Sequence, residues 1–355
     1  MHIIKDILVF FLGGYLAFTN FLAVEISSLL TPGEIAQKES VSQELINIES
    51  KIRFGDIPDI LIKNAAYQKA AIVESITPEA APGTALDALV NIFCSYTTNT
   101  YTKTTTGTGF VIDTKGVVLT NAHIAQFLLL EGLQGDTKCT IRTGNPAIAM
   151  YEADLLYISP AWVREHARSI NEEAPTGTGE RDYALLYITS VLNDTTDPDG
   201  FVALPFNQAV LTLDSLNTEV LATGYPAKFI LDNGIHLPLI PKQATTTIGE
   251  LMTFGSNLVD IFTIRGSTLG EHGSSGSPVV DAQGKAIGMI STRGDDARFG
   301  NGSLRAISIS YIDRTITEET GFSLTQNLGG NLPYRAQLFK ETIIPFLQKE
   351  IQGEL

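Results

Sequence analysis

Between residue 85 and about residue 312 the sequence is a series of short runs rich in Val, Ile, Thr, Phe and Tyr, separated by turns rich in Gly, Asp and Asn. Runs of this kind are typical of β-strands, and many of them in succession are typical of sandwiches and barrels. Two stretches, 110–120 (FVIDTKGVVLT) and 278–291 (PVVDAQGKAIGMIS), each read as strand, D-x-x-G turn and strand. The sequence therefore predicts an all-β domain, and the two hairpins are a hint, and no more, of two similar halves.

The first residues have a different character. Residues 7–24 carry no charge and are long enough for a helix to cross a bilayer, so 1–30 is predicted as a membrane anchor. A cleaved signal peptide is the alternative, but Phe21 stands where a cleavage pattern around Ala23 needs a small residue. Lys5 is the only Lys or Arg before the span, which favours a cytoplasmic N-terminus. The rest of the chain is then expected outside the cytoplasm, periplasmic or extracellular, or secreted if the segment is cleaved.

Residues 31–84 are predicted as a helical stalk and linker. Helical periodicity runs through 33–76 and is broken near residue 55, which indicates one or two helices, and the Pro-rich and Gly-containing stretch 77–84 marks a boundary. The β-rich domain is expected over 85–315.

A tail is expected over 316–355, and its segment 332–352 is predicted to be a helix that Pro345 kinks or divides. The apolar face of this helix is formed by Leu338, Phe339, Ile343, Ile344 and Leu347. We expect this face to pack on the β-domain or on a partner.

Composition excludes some functions. The 24 basic and 39 acidic residues leave a net charge of −15, which repels polyanions, so nucleic acid is not expected as a partner. Cys94 and Cys139 are the only cysteines and lack the C-x-x-C spacing of a metal or redox site. No metal or cofactor is therefore predicted. The two cysteines lie in strand-like sequence. They either form one bridge between neighbouring strands or remain two buried thiols.

Two residues with catalytic potential lie beside predicted strands. His123, in LTNAHIA, stands where a strand passes into a short helix-like stretch. Asp182 lies at the edge of the buried strand in RDYALLYIT, and Asp154 in EADLLYIS is a rival with a similar setting. Taken singly, each of these residues is more often structural than catalytic.

The stretch EHGSSGSPVV, residues 271–280, combines linker-like Gly and Ser density with direct entry into an apolar strand. It is either a flexible spacer or a rigid turn that needs conformations only glycine adopts readily. In a rigid turn, backbone N–H groups point into one cavity, as a developing oxyanion requires. Ser275 is then the candidate nucleophile. A serine needs a base and an orienting group, roles that His123 and Asp182 can fill.

The order His, Asp, Ser along the chain discriminates between folds. Nucleophile-elbow hydrolases run Ser, Asp, His and subtilisin-like enzymes run Asp, His, Ser, whereas chymotrypsin-type β-barrels have the order found here. The spacing suits His123 and Asp182 in a first barrel and Ser275 in a second.

Four motifs in order, GTGFVI…VVLTNAHIA, RDYALLYIT, VLATGYP and GSSGSPVVD…GKAIGMIS, resemble the trypsin-like serine peptidases, particularly the bacterial HtrA-like and V8-like branch. The resemblance covers about residues 86–312 and implies two six-stranded antiparallel β-barrels. It implies His123 as general base, Asp182 as its orienting group and Ser275 as nucleophile. The N–H groups of Gly273 and Ser275 would form the oxyanion hole, and the partners would be protein or peptide substrates.

The resemblance also places a substrate pocket, for which the candidate residues are Leu269, His272, Ser291, Thr292 and Arg293, with 305–310 as a further wall. No acidic residue stands at its base, so a small or medium apolar side chain is expected before the scissile bond, and Arg293 leaves an acidic preference open. Ser274 replaces the Asp that animal trypsins use to bind a freed N-terminus, so activation by N-terminal cleavage is not implied. An insertion at 159–180 lies before Asp182 and could cover or regulate the cleft.

The sequence therefore predicts a serine endopeptidase that acts through an acyl-enzyme on extracytoplasmic proteins. The alternative is a catalytically silent binding or scaffold protein on the same fold, and the complete set of three residues argues against it. The residues after 315 are too few for a PDZ domain.

Overall fold

The computed structural model describes residues 45–352 except 54, 56, 72–82, 134, 172–176, 193–199, 228–237, 266–268, 270–272 and 294–302. The anchor predicted at 7–24 lies outside the described residues. Within the described ranges, no helix combines the length and the apolar character that a bilayer span needs.

Thirteen strands and seven α-helices are named here in chain order. The strands are β1 (Ile46–Asn47), β2 (Leu89–Thr97), β3 (Thr102–Asp113), β4 (Val117–Thr120), β5 (Asp136–Thr143), β6 (Ile148–Ile158), β7 (Ala184–Val191), β8 (Glu219–Gly224), β9 (Lys242–Thr253), β10 (Ile261–Ile264), β11 (Pro278–Val280), β12 (Ala286–Arg293) and β13 (Leu304–Ser308). The helices are α1 (Ala65–Ala71), α2 (Ala122–Ala125), α3 (Pro160–His166), α4 (Ile309–Thr320), α5 (Leu324–Asn327), α6 (Leu332–Leu338) and α7 (Ile344–Gln352).

Strands β2 to β13 close into two antiparallel barrels of six. The first barrel has the order β2-β3-β4-β7-β6-β5. In the second, β8 pairs with both β9 and β11, which closes the order β9-β10-β13-β12-β11-β8. Because full closure leaves no free sheet edge within a barrel, each barrel can enclose its own apolar side chains. The predicted pair of six-stranded barrels is confirmed.

Both predicted D-x-x-G turns join the strands they were expected to join. Asp113 begins the turn between β3 and β4, and its carbonyl accepts from the Gly116 N–H at 2.9 Å. Asp281 and Gly284 repeat this contact at 2.9 Å between β11 and β12. The two echoing sequences therefore occupy one hairpin in each barrel.

In the predicted stalk, the described residues that precede residue 54 contain a short strand and no helix. Ile46 and Asn47 are extended and pair in parallel with Met252 and Thr253 of β9. The reason is that the backbone of β9 offers hydrogen-bonding groups at this point, and the Ile48 N–H donates to the Thr253 carbonyl at 2.8 Å. Helix forms at α1, which buries Tyr67 completely. Residues 45–71 thus belong to the same compact unit as the barrels.

A helix that was not foreseen follows the last strand. The β-pattern was expected to continue to about residue 312, but α4 begins at Ile309. Ser308 stops the strand and caps the helix, because its hydroxyl accepts from the Tyr311 N–H at 3.1 Å. Gly321 ends the helix in a left-handed conformation with φ of 80°. The boundary expected at 315 falls within α4.

The predicted C-terminal helix is continuous through Pro345, although its geometry changes before that residue. Between α6 and α7 lies a π-helical segment, Phe339–Ile343. Proline lacks an N–H and collides with the carbonyl four residues earlier, and the wider π turn accommodates both effects. All five residues of the predicted apolar face are buried. The described part of the insertion at 159–180 contains α3, which packs against α7.

Cys94 and Cys139 are bridged. They lie directly opposite each other on the antiparallel neighbours β2 and β5. Of the two alternatives that the sequence left open, the structure therefore has the bridge, which links two strands of the first barrel.

Candidate active site

His123 lies on α2, the short helix that follows β4. Two features bring this helix onto the barrel. Gly107 makes room, since a Cβ there would lie 2.7 Å from a side-chain carbon of Ile124. Asn121, at the helix start, donates from its side-chain amide to the Asp182 carbonyl at 2.8 Å. The histidine backbone is therefore tied to the segment that carries the aspartate.

Asp182 binds His123 through both carboxylate oxygens. The ring Nδ1 lies 2.8 Å from Oδ2, and the backbone N–H of His123 donates to Oδ1 at 2.9 Å. Because an ionised carboxylate can only accept, Nδ1 carries the proton in this contact. When the ring is neutral, the other nitrogen, Nε2, then has the free lone pair that a general base requires.

Ser291 of β12 adds a third hydrogen bond to the same carboxylate. Its hydroxyl donates to Asp182 Oδ2 at 2.7 Å. Burial alone raises the pKa of Asp182, but the charge of His123 and the hydrogen bonds from His123 and Ser291 outweigh burial and lower the pKa below its ordinary value. Asp182 is therefore ionised at neutral pH although it is buried.

The Gly- and Ser-rich stretch forms a defined turn before β11. Gly273 and Gly276 both have φ of 90°, a region that side chains rarely enter. A Cβ on Gly273 would lie 2.5 Å from the Tyr225 carbonyl oxygen, and one on Gly276 would lie 1.7 Å from that of Thr108. Both positions therefore require glycine on steric grounds. Of the two readings of this stretch, spacer and rigid turn, the geometry is that of the turn.

Ser275 sits between these glycines and is partly exposed. Its hydroxyl donates to the Ser291 carbonyl at 3.3 Å, and no hydrogen bond among the described residues joins it to His123. Ser291 therefore contacts both Ser275 and Asp182. Within the described part of the chain, the N–H groups of Gly273 and Ser275 donate to no protein acceptor. These are the two groups predicted to bind an oxyanion.

Thr108 fastens the serine turn to the first barrel, a role that sequence reasoning missed. Its N–H donates to the Ser275 carbonyl at 2.7 Å, and its hydroxyl donates to the Gly273 carbonyl at 2.6 Å. Its own carbonyl accepts from the Thr120 hydroxyl at 2.8 Å, three residues before His123. The signal in the sequence was the threonine between two glycines in GTGF, which lets other backbone approach closely on both sides.

The structure separates Asp182 from its rival. Asp154 lies on β6 and faces Lys340, whose Nζ is 3.4 Å from its carboxylate. Among the pocket candidates, Leu269 is completely buried, and Thr292 and Arg293 belong to β12 beside Ser291. His272 lies outside the described residues. No group of His, Cys, Asp and Glu side chains in the described ranges is arranged to hold a metal ion.

A sequence-family model, described as the trypsin-like peptidase domain, matches residues 107–289. This chain belongs to the trypsin-like peptidase family. The match spans the predicted base, orienting group and nucleophile of the family, from the GTGF motif to the middle of β12. A comparison with curated proteins found no match.

Solved structures similar to this chain include a serine-to-alanine mutant of Rv3671c from M. tuberculosis in an inactive form. It shares 17% identity over 76% of this chain and 97% of its own, with a TM-score of 0.40. Deg5 shares 17% identity over 67% of this chain and 92% of its own, with a TM-score of 0.42. The family assignment rests on the domain match, and the HtrA-like and V8-like branch stays a prediction.

The steric requirement at Gly276 can be tested against Gly284. Both have positive φ, but the Cβ of an alanine at 284 would meet nothing within 4 Å. We expect Gly284→Ala to lower the free energy of unfolding by about 1–2 kcal/mol, from backbone conformation alone. Gly276→Ala should lower it by about 2–5 kcal/mol, because overpacking adds to that cost. Urea unfolding of both variants measures the difference, and equal losses would show that the turn yields easily.

Proposed function

We propose that this chain is a serine endopeptidase in which Ser275 attacks the peptide carbonyl, His123 is the general base and Asp182 orients it. One observation carries the proposal. A buried, ionised Asp182 holds the His123 ring by Nδ1, in the tautomer that leaves Nε2 able to accept a proton. The family supports a peptidase, and this geometry supports the serine type.

The reaction proceeds through an acyl-enzyme. The Ser275 hydroxyl leaves its contact with the Ser291 carbonyl and turns towards Nε2, which takes its proton as Oγ bonds to the substrate carbonyl carbon. The tetrahedral intermediate collapses as the C–N bond breaks, and the leaving amine receives the proton from Nε2. Water then attacks the ester by the same proton transfers and releases the acid. Asp182 stays ionised throughout and stabilises the imidazolium.

The N–H groups of Gly273 and Ser275 are the proposed oxyanion hole. Thr108 supports this role because it holds the carbonyls of the same two residues. These carbonyls belong to the peptide units that directly follow the two N–H donors, so Thr108 restrains the turn beside each donor, and preorganised donors need no rearrangement when charge develops. One such donor is worth about 3–4 kcal/mol in the transition state.

We propose that the enzyme acts outside the cytoplasm. The Cys94–Cys139 bridge supports this location, because disulfides persist in oxidising compartments and are rare in the cytosol. The charge-free segment 7–24 supplies the proposed anchor. Exposed loops and unfolded segments of extracytoplasmic proteins are the proposed substrates.

Labelling with a fluorophosphonate tests the nucleophile. We expect the purified chain to be labelled once, at Ser275, because a fluorophosphonate reacts with a serine that a neighbouring base activates. Ser275→Ala and His123→Ala should both abolish labelling while circular dichroism stays unchanged. A folded chain that is not labelled at Ser275 would favour the silent binding or scaffold protein instead.

The aspartate assignment is tested by two matched substitutions. Asp182→Asn should lower the labelling rate by about 10⁴-fold, because an amide at this position favours the wrong imidazole tautomer. Asp154→Asn removes a carboxylate of the same barrel that faces Lys340, and we expect it to change the rate by less than about 3-fold. The opposite result would assign the orienting role to Asp154.

We propose a preference for a small or medium apolar side chain before the scissile bond. Leu269 lies in one apolar cluster with Ile290 and Ala306, and these residues belong to or adjoin the segments assigned to the pocket. A carboxylate that enters a pocket backed by these three buried side chains loses hydration, and none of the three offers it a hydrogen bond. Matched fluorogenic peptides with Ala, Val or Glu at this position should show Ala and Val ahead of Glu by about 10- to 100-fold in kcat/KM. A preference for Glu would point to an arginine such as Arg293 instead.

A further inference from the structure

The aspartate lies at the end of an unusual turn, residues 179–182. Gly179 has φ of 90°, and Arg181 is one of two non-glycine residues with positive φ among the described residues, at 54°. Such a conformation costs about 1–2 kcal/mol in a residue with a side chain and persists only where surrounding contacts hold it. The turn is also buried, since Glu180, Arg181 and Asp182 are each at most 5% exposed. Contacts from elsewhere therefore determine where the Asp182 carboxylate lies.

Arg181 binds the helix that follows the second barrel. Its guanidinium donates to Glu319 at 2.9 Å and to Glu318 at 2.6 Å, both on α4. Burial alone lowers the pKa of Arg181, but the charge of Glu319 outweighs burial and holds the pKa above its usual value. The guanidinium is therefore permanently charged, and its planar shape holds the hydrogen bonds to Glu318 and Glu319 in fixed directions.

Glu319 is in turn fixed by the first barrel and by the start of the insertion. Its two oxygens accept from the hydroxyls of Tyr157 and Ser159, each at 2.7 Å. Tyr183, the residue after Asp182, reaches α4 as well, with its hydroxyl 2.7 Å from that of Thr315. The residues on both sides of Asp182 therefore bind one helix, and that helix lies outside the matched domain, 107–289.

Glu180 binds residues 50–52, which precede the first barrel. Its carboxylate accepts from the Ser50 hydroxyl at 2.6 Å, the Lys51 N–H at 2.9 Å and the Ile52 N–H at 3.3 Å. The same segment is held beside β9 through β1. Neighbouring residues of one turn are thus clamped by the segment before the barrels and by the helix after them.

We propose that Arg181 and Glu180 are positioning residues that hold Asp182 against His123, so that activity depends on α4 and on residues 50–52. The inference rests on the proposed function, in which Asp182 orients His123. Neither residue contacts a reacting atom. Loss of the contact between Arg181 and α4, or of that between Glu180 and residues 50–52, lets the turn relax from its strained conformation. A displacement of about 1 Å in a catalytic group can cost about 10²-fold in rate.

The test uses the full-length protein and two measurements. One is the rate constant for fluorophosphonate labelling of Ser275, and the other is the downfield proton resonance of the Nδ1–H bond between His123 and Asp182. We expect Arg181→Met to slow labelling by about 10²-fold and to shift or broaden the resonance. The labelling rate of Arg181→Lys should lie between those of Arg181→Met and the parent, and Glu180→Gln should lower the labelling rate by about 10-fold. The double variant Arg181→Met, Glu319→Gln avoids an unpaired buried carboxylate and should repeat the single result in a folded protein.

Arg314→Met is the matched control. Arg314 lies on the same helix and binds another buried carboxylate, Asp260; among the described residues, its hydrogen bonds and ion pair go to Ser310 and Asp260 and not to 179–182. It should keep the parent resonance and label within about 3-fold of the parent rate. The inference is overturned if the folded Arg181 and Glu180 variants match the parent in both measurements, or if Arg314→Met loses the resonance equally. A parent chain whose labelling is independent of Ser275 would overturn the proposed function instead. The resonance would still show whether Arg181 and Glu180 hold Asp182 against His123.

Discussion

A buried carboxylate that stays ionised is the constraint on which this site depends. Placing Asp182 away from water is unfavourable unless donors replace its hydration. The donors come from the His123 backbone and ring in the first barrel and from the Ser291 hydroxyl in the second. All three donors are therefore in place only when both barrels are formed and joined, which links the ionisation of the site to the fold.

Contacts between the two barrels also fix the turn that carries Ser275. Thr108 binds the carbonyls of Gly273 and Ser275 from the first barrel, and the missing side chain at Gly276 lets the two backbones approach. Backbone in such close contact cannot move independently. The nucleophile is thus positioned by main-chain packing, whereas the base is positioned by charge, and the two means of support meet at Ser291.

Sequence reasoning succeeded where the pattern is local and failed where a distant segment decides. Alternation and turn residues predicted the hairpins at Asp113 and Asp281, and apolar spacing predicted the buried face of the last helix. The stretch around Ile46 has helical composition, but pairing with β9 makes it extended. The start of α4 at Ile309 was missed because the apolar sequence of β13 continues directly into the helix, and the cap residue Ser308 is the one local signal of the change.

The sequence by itself determined the fold class and the three candidate residues, because strand periodicity, glycine positions and the order His, Asp, Ser are properties of the chain in one dimension. It left Asp154 beside Asp182 and the two cysteines unresolved, since both questions concern distances between strands. Only the tertiary structure decided that Asp182 faces His123, that Cys94 meets Cys139 and that Thr108 and Ser291 join the barrels. Those contacts depend on strand pairing and on the packing of one barrel against the other, which bring together residues whose sequence separation carries no signal of their proximity.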